Sequence, residues 1–497
     1  MRGIIRAKSL LVKPHNAFFT LHSSASGSTK NQCRFYTHAF PIAPAQIDKL
    51  RLRVLKYIVV MSKGVHSERG FLPLFEWRFY LFKRRKPMEG RATVYMNYSM
   101  NEIMQYVAEE DVKFIRLAFC DVFGRQKNVS IMPQELKRAF EYGVVIDGSA
   151  IAGFGGDVQS DLLLHPDAST LAVLPWRPEH GRVIRMFCAI SYPDGTPFEA
   201  DARTLLRRAV MDAAKAGVAF SFGSEMEFYL FKLDENGEPT RVPHDHAAYM
   251  DIAPQDKGEN VRREICLTLE QMGIMPESSH HEEGPGQNEI DFRYSDPLTA
   301  ADDAITFRAV VNTVAALNGL SADFSPKPLE DCAGNGMHIN ISAHSGDGND
   351  VMPQIIAGIL AHISEITLFL NTTEASYRRF GCCKAPRHIS WSDQNRSQLI
   401  RIPAATGEYR RAELRSPDPM CNPYLAFALL IWAGLDGVQQ NLQLPPAANV
   451  NLYAAPAEVA ARYGTLPETL AQAKAAACGS ALVAAHLPQS IIDSYAR

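Results

Sequence analysis

The clearest alternation of apolar and polar residues lies between Val218 and Leu233 and predicts one long strand, followed by a hairpin turn at Asn236-Gly237. Within it Glu225 and Glu227 share one face, and Met226, Phe228 and Leu230 share the other. A second alternating stretch follows the Gly284-Pro285-Gly286 turn, where Glu289 and Asp291 face one way and Ile290 and Phe292 the other. Helical spacing predicts helices over Met100–Ala108, Leu136–Tyr142, Ala202–Ala216, Gly258–Met272, Ala300–Leu317 and Ile355–Leu370, and a largely helical chain from Pro423 onward. Further strands are expected at Val112–Phe119, Lys127–Ile131, Leu171–Pro175, Leu320–Pro326, Met337–Ser342, Leu399–Pro403 and Ala412–Arg415.

These elements divide the chain. A small α+β domain over 96–197 ends in the turn-rich Pro193-Asp194-Gly195-Thr196-Pro197, and a large α+β domain with an antiparallel sheet spans 198–497. Residues 1–95 carry about eighteen Lys and Arg against about four Asp and Glu. They read as a basic, disordered extension, or as sequence upstream of a start near Met88 or Met96.

Composition narrows the class. The 497 residues are 46% hydrophobic and 21% charged, with a net charge of -3, so bulk attraction to nucleic acid is not expected. The nine cysteines include no Cys-x-x-Cys pair, which fits reduced thiols in a cytoplasmic protein. No uncharged apolar run reaches the length of a membrane span, and no membrane partner is expected.

Carboxylates side by side on a strand repel unless solvated or bridged by metal. Glu225, Glu227, Glu282 and Glu289 are such candidates, with His338 after the glycine-rich Gly334-Asn335-Gly336 turn and Glu413 between Arg411 and Arg415. Arg378, Arg379, Arg396, Arg401, Arg410, Arg411 and Arg415 cluster in a short length of chain, some among apolar residues, where a planar cation calls for an anion. There is no Gly-x-x-x-x-Gly-Lys-Ser/Thr loop, no dinucleotide fingerprint and no paired zinc thiols. Acids and arginines together suggest divalent metal sites beside an anion cradle, equipment suited to phosphoryl transfer.

The order of motifs resembles glutamine synthetase in its short bacterial, type I form. The likeness runs from about Val112 to Gln440 through Asp147-Gly148-Ser149, Ser160-Asp161-Leu162, His165-Pro166-Asp167-Ala168-Ser169-Thr170, Glu225-Met226-Glu227, His280-His281-Glu282 and Gly286-Gln287-Asn288-Glu289. It continues through Gly336-Met337-His338, Asn395-Arg396-Ser397, Glu413-Leu414-Arg415 and Asn422-Pro423-Tyr424-Leu425-Ala426. The resemblance implies a β-grasp domain followed by a catalytic domain whose antiparallel sheet is flanked by helices. It also implies a homo-oligomer of two stacked hexameric rings, with active sites between subunits.

The resemblance assigns one metal position to Glu227, Glu282 and Glu289 and a second to Glu225, His338 and Glu413. Two or more Mg²⁺ per site are implied, with Mn²⁺ allowed by the imidazole. ATP is the implied co-substrate: it phosphorylates glutamate and ammonia then attacks, giving glutamine. Arg396, Arg401 and Arg411 fall at phosphate-binding positions and Tyr294 near the nucleotide's ring. Arg379, Arg415 and Gly334 fall at glutamate positions. Asp147, reaching in from a neighbouring subunit, and Tyr249 fall at the ammonium pocket. Three positions depart from the pattern: Lys384 stands where the family has a flap glutamate, Ala333 replaces an asparagine, and Glu408 replaces a lysine. Lysine cannot attract ammonium. A γ-glutamyl ligase using another amine is therefore the alternative expectation, and a catalytically silent homologue a third.

Overall fold

The computed structural model describes residues 99–155, 160–177, 180–382, 384–393, 395–404 and 411–497. The basic residues 1–95, Cys383, Glu408 and Arg410 lie outside them.

The chain enters through helix α1 (Met100–Glu109), whose start is fixed by a capping box between Ser99 and Glu102. Strands β1 (Val112–Cys120) and β2 (Gln126–Ile131) form a hairpin around Asp121, whose carboxylate accepts the Phe123 and Arg125 amides. Helix α2 (Leu136–Tyr142) leads into β3 (Val144–Asp147), β4 (Asp161–Pro166), the two-residue β5 (Ala172–Val173) and β6 (Arg182–Ser191). The sheet order is β2-β1-β6-β4-β3, with β5 beside β6. β1 and β6 are parallel, the other pairs antiparallel. This is the β-grasp arrangement. Strands β3, β4 and β6 are additions to the sequence expectation, and β5 is shorter than the expected Leu171–Pro175.

The second part begins with α3 (Ala202–Lys215), capped by Asp201. Strand β7 (Val218–Leu233) follows at its expected limits and turns into β8 (Pro239–Pro243). Next come α4 (Glu259–Gln271), β9 (Pro276–His281), β10 (Gln287–Phe292), α5 (Pro297–Leu317), β11 (Leu320–Asp323), β12 (Met337–Ser345) and α6 (Met352–Leu370). A short α7 (Glu374–Tyr377), then β13 (Trp391–Asp393), β14 (Ile400–Ile402), β15 (Ala412–Leu414) and α8 (Pro423–Gln439) lead to four short C-terminal helices. The nine-stranded sheet runs β13-β14-β15-β12-β7-β10-β9, with β11 and β8 also paired to β7. It is antiparallel as expected except at one edge, where β13 and β14 are parallel.

One face of β7 makes the core. Phe222, Met226, Phe228 and Leu230 are buried, Phe222 stacks on Phe427 of α8, and Phe228 packs on Phe307 of α5. Helices α6 and α8 cross so closely that a Cβ on Gly437 would stand 2.1 Å from the Gln354 carbonyl, and one on Gly358 2.2 Å from that of Ala433. Helix α6 is apolar and long enough to cross a membrane, but most of it is buried inside this fold. Arg203, on α3, grips Asp302 of α5 with two bonds of 3.0 and 2.9 Å and pairs with Asp167 at 3.0 Å. This cluster ties the first sheet's connecting segment to the helices of the second part.

Candidate active site

The polar face of β7 builds a cleft of about 880 Å³. Register decides which side chains meet there. Glu225 lies opposite Asp291 on β10 and His338 on β12, and Glu227 lies opposite Glu289. One strand further out, His280 on β9 lies opposite Glu289, and Glu413 on β15 opposite Asn340. Directly paired residues share a face, so five strands converge their acids and imidazoles on one side of the sheet.

Ligand atoms of Glu225, His338 and Glu413 lie within 4.8 Å of one another, as do those of His280, Glu282 and Glu289, and those of Glu225, Glu289 and Asp291. Thus the residues expected for one metal position come together as a set. At the other, Glu282 and Glu289 meet with His280, while Glu227 stands beside them, fixed by the Gly336 amide at 2.8 Å and Gln287 at 3.2 Å. His280 and Asp291 are absent from the expected ligand set. Asp291 was legible as the period-two neighbour of Glu289; His280 depends on a register that no local pattern announces.

The electrostatics call for cations. Burial, then the neighbouring Glu227, Asp291 and Glu225 carboxylates, push Glu289 well above the usual carboxylate range. Burial and the facing Glu225 raise Asp291 to about 6. Burial also raises Glu227, with the Glu282 charge adding to it. Burial works the same way at Glu225, but bonds from His338 and Asn340 and the nearby Arg411 outweigh it and hold Glu225 down at about 2. Buried Asp291 Oδ1 has no hydrogen-bond partner. Clustered carboxylates with one or two imidazoles are a hard, oxygen-rich donor set of the kind divalent cations take.

Cations line the same cleft. Arg401 donates to Glu413 at 2.5 Å, and Arg415 pairs with the other oxygen of that carboxylate. Arg411 donates to Asn340 at 2.9 Å and stands 4.0 Å from Glu225. Buried Arg379 donates to the Ser416 carbonyl at 3.1 Å, while its Nε has no partner. Gly334 and Ala333 form the wall beside it: a Cβ on Gly334 would meet the Pro326 carbonyl at 2.4 Å and the Arg379 side chain at 2.7 Å. Arg396 and Tyr249 also line the cleft.

Two expected residues stand elsewhere. Tyr294 is not among the lining residues; its backbone and Cβ pack on Gly223. Asp147 lies exposed at the end of β3, where its carboxylate caps Ser149 at 3.0 and 2.6 Å.

Comparison with known proteins gives this arrangement a family. The profile described as "Glutamine synthetase, beta-Grasp domain" matches residues 111–193, and "Glutamine synthetase, catalytic domain" matches 199–497. A glutamine synthetase of Clostridium saccharobutylicum is 45% identical over 370 residues, covering 72% of this chain and 84% of the relative. That of Methanosarcina mazei is 45% identical over 366 residues, covering 71% and 82%. Among solved structures, a GmaS/ADP complex superposes with a TM-score of 0.72 at 27% identity, covering 79% of this chain and 93% of the other. With both domain profiles matched in order and the sheet's acids converging in one cleft, the chain belongs to the glutamine synthetase family.

Proposed function

We propose that this protein is an ATP-dependent ligase that makes glutamine from glutamate and ammonia through γ-glutamyl phosphate. The observation that carries the reading is one cleft in which acids from several strands face arginines, two of which, Arg379 and Arg415, keep a buried Nε without a partner.

Glu225, His338 and Glu413 would hold one divalent cation, and Glu227, Glu282 and Glu289 another, with Mg²⁺ the natural ion for oxygen donors and Mn²⁺ tolerated. Bound there, the cations neutralise phosphate charge and offset about -5 from five carboxylates. Arg379 offers its unpartnered Nε to a glutamate carboxylate beside the Gly334 wall, which has no room for a side chain. Arg415 is already paired to Glu413, and its assigned role is to share the substrate glutamate's carboxylates with Arg379. Arg396, exposed at the cleft, would neutralise the transferring phosphoryl group, assisted by Arg401 and Arg411. Tyr294 is assigned to the nucleotide's ring on resemblance alone.

The reading extends to assembly: a homo-oligomer of two stacked hexameric rings in the cytoplasm, with Asp147 completing the neighbouring subunit's ammonium pocket. The division into 1–95, a β-grasp domain at 96–197 and a catalytic domain at 198–497 belongs to the same proposal. Mass photometry of the full chain tests the ring. Purified protein given ATP, glutamate, Mg²⁺ and ammonium should yield ADP and glutamine in equal amounts; ADP without glutamine at any ammonium concentration rejects the activity. Lys384 at the cleft supports a second reading, a γ-glutamyl ligase for another amine, which a panel of amine acceptors distinguishes.

A further inference from the structure

Lys384 has a place in the cleft that bears on the acceptor. It stands on a tight turn closed by the Gly381 amide on the Ala385 carbonyl at 2.8 Å and the Ala385 amide on the Cys382 carbonyl at 2.9 Å. Its backbone is in the left-handed region at φ 65°, uncommon for a lysine. Arg415, which also holds Glu413, donates to the Lys384 carbonyl at 3.4 Å. The side chain then reaches over the cleft: Nζ is 2.5 Å from Glu283 Oε1 and 4.7 Å from the centroid of the Tyr249 ring. Glu283 follows Glu282 in the chain, and Tyr249 packs edge-on against His280. An aromatic face beside a carboxylate, at the rim of an acidic cleft, is the arrangement that recognises an ammonium ion. Here the chain's own ammonium fills it.

We propose that Lys384 is a tethered occupant of the acceptor's cation seat, so that ammonium must displace its side chain from Tyr249 and Glu283 before it can react. The proposal rests on the glutamine-forming reading and adds to it a residue that sets acceptor affinity. A half-exposed ion pair together with one ring contact is a modest latch, so the expected penalty is on the order of tenfold in ammonium affinity.

The test is steady-state glutamine formation by the full chain against total ammonium at fixed pH, for the parent, Lys384→Gln and Lys384→Arg. Lys384→Gln should lower KM for ammonium about tenfold with a much smaller change in KM for glutamate. Lys384→Arg, which keeps a cation on the ring, should retain most of the penalty. Manganese binding by calorimetry reports whether each variant keeps its folded cleft. A folded Lys384→Gln with KM for ammonium within about twofold of the parent, or a Lys384→Arg indistinguishable from Lys384→Gln, overturns the proposal while leaving the ligase reading intact. If the folded parent makes no glutamine at any ammonium concentration, the ligase reading fails and the proposal falls with it.

Discussion

Glu225 on β7 and Asp291 on β10 are register partners, two carboxylates set directly opposite each other on one face of the sheet. Like charges so placed destabilise a strand pair. The fold keeps them together at a cost that a bound cation would offset. Adding Mg²⁺ or Mn²⁺ to chelator-treated protein should therefore raise its Tm, by the equivalent of about 2.7 kcal/mol at a hundredfold excess over Kd. Scanning calorimetry across a metal titration checks this, and a flat Tm refutes it.

Single changes in that pair should separate the two effects. Glu225→Gln supplies no charge to the cation, so metal affinity and activity at limiting Mg²⁺ should both fall. Asp291→Asn relieves repulsion, so the metal-free protein should gain up to about 1 kcal/mol. Calorimetric Mn²⁺ binding and urea unfolding of the two variants measure the contrast; unchanged metal affinity in Glu225→Gln removes that residue from the proposed ligands.

Arg203 and Asp302 form a buried two-point ion pair, and the Tyr424 hydroxyl donates to the same carboxylate at 2.6 Å. Arg203→Met leaves Asp302 without its charge partner and should cost about 3–5 kcal/mol. Adding Asp302→Leu should recover part of that loss, because an apolar pair needs no compensation. Urea midpoints of the single and double variants decide it.

His362 on α6 lies 2.8 Å from Asp436 of α8 and 3.2 Å from Glu365. Burial lowers its pKa, but the two carboxylates raise it more, so the folded value lies above the ordinary 6.5. Its contribution is then fully present below pH 6.5 and lost as pH rises through the folded value. Asp436 behaves oppositely: burial raises it, the His362 and Gln440 bonds lower it further, and its contribution fades as pH falls. His362→Asn should flatten the decline in stability above pH 6.5, read from urea curves at several pH values.

The crossing of α6 and α8 has no space for another methyl group. Gly437→Ala should cost about 3 kcal/mol, because its Cβ would meet backbone rather than a yielding side chain. Gly319, beside which nothing lies within 4 Å of an added Cβ but whose φ is 70°, should cost less on the same substitution. Thermal melts rank the two.

Strong periodicity made some elements legible and hid others. Strand β7 alternates through most of its length, up to the buried run at 228–231, and its limits were readable to the residue. β6 was not, because Arg182–Ser191 is buried on both faces and shows no alternation. β9 reads Pro-Glu-Ser-Ser-His-His, too polar for a strand signal, and exists because β10 pairs with it. The same limit governs the cleft. Which acids could meet was visible from parity within a strand, but His280 beside Glu289 follows from pairing between strands. Arg401 and Arg415 read as cations that call for an anion; that both hold the chain's own Glu413 follows from the pairing of β14 with β15, which sets Arg401 opposite it.

Because β7 pairs with four other strands, its parity is locked from both edges. Sliding it by one position would turn Glu225 and Glu227 into the oily interior and Phe228 and Leu230 into the water-filled side. Selection on the packing of phenylalanines against α5 and α8 therefore also guards the spacing of the acids, and drift in one cannot proceed without injury to the other.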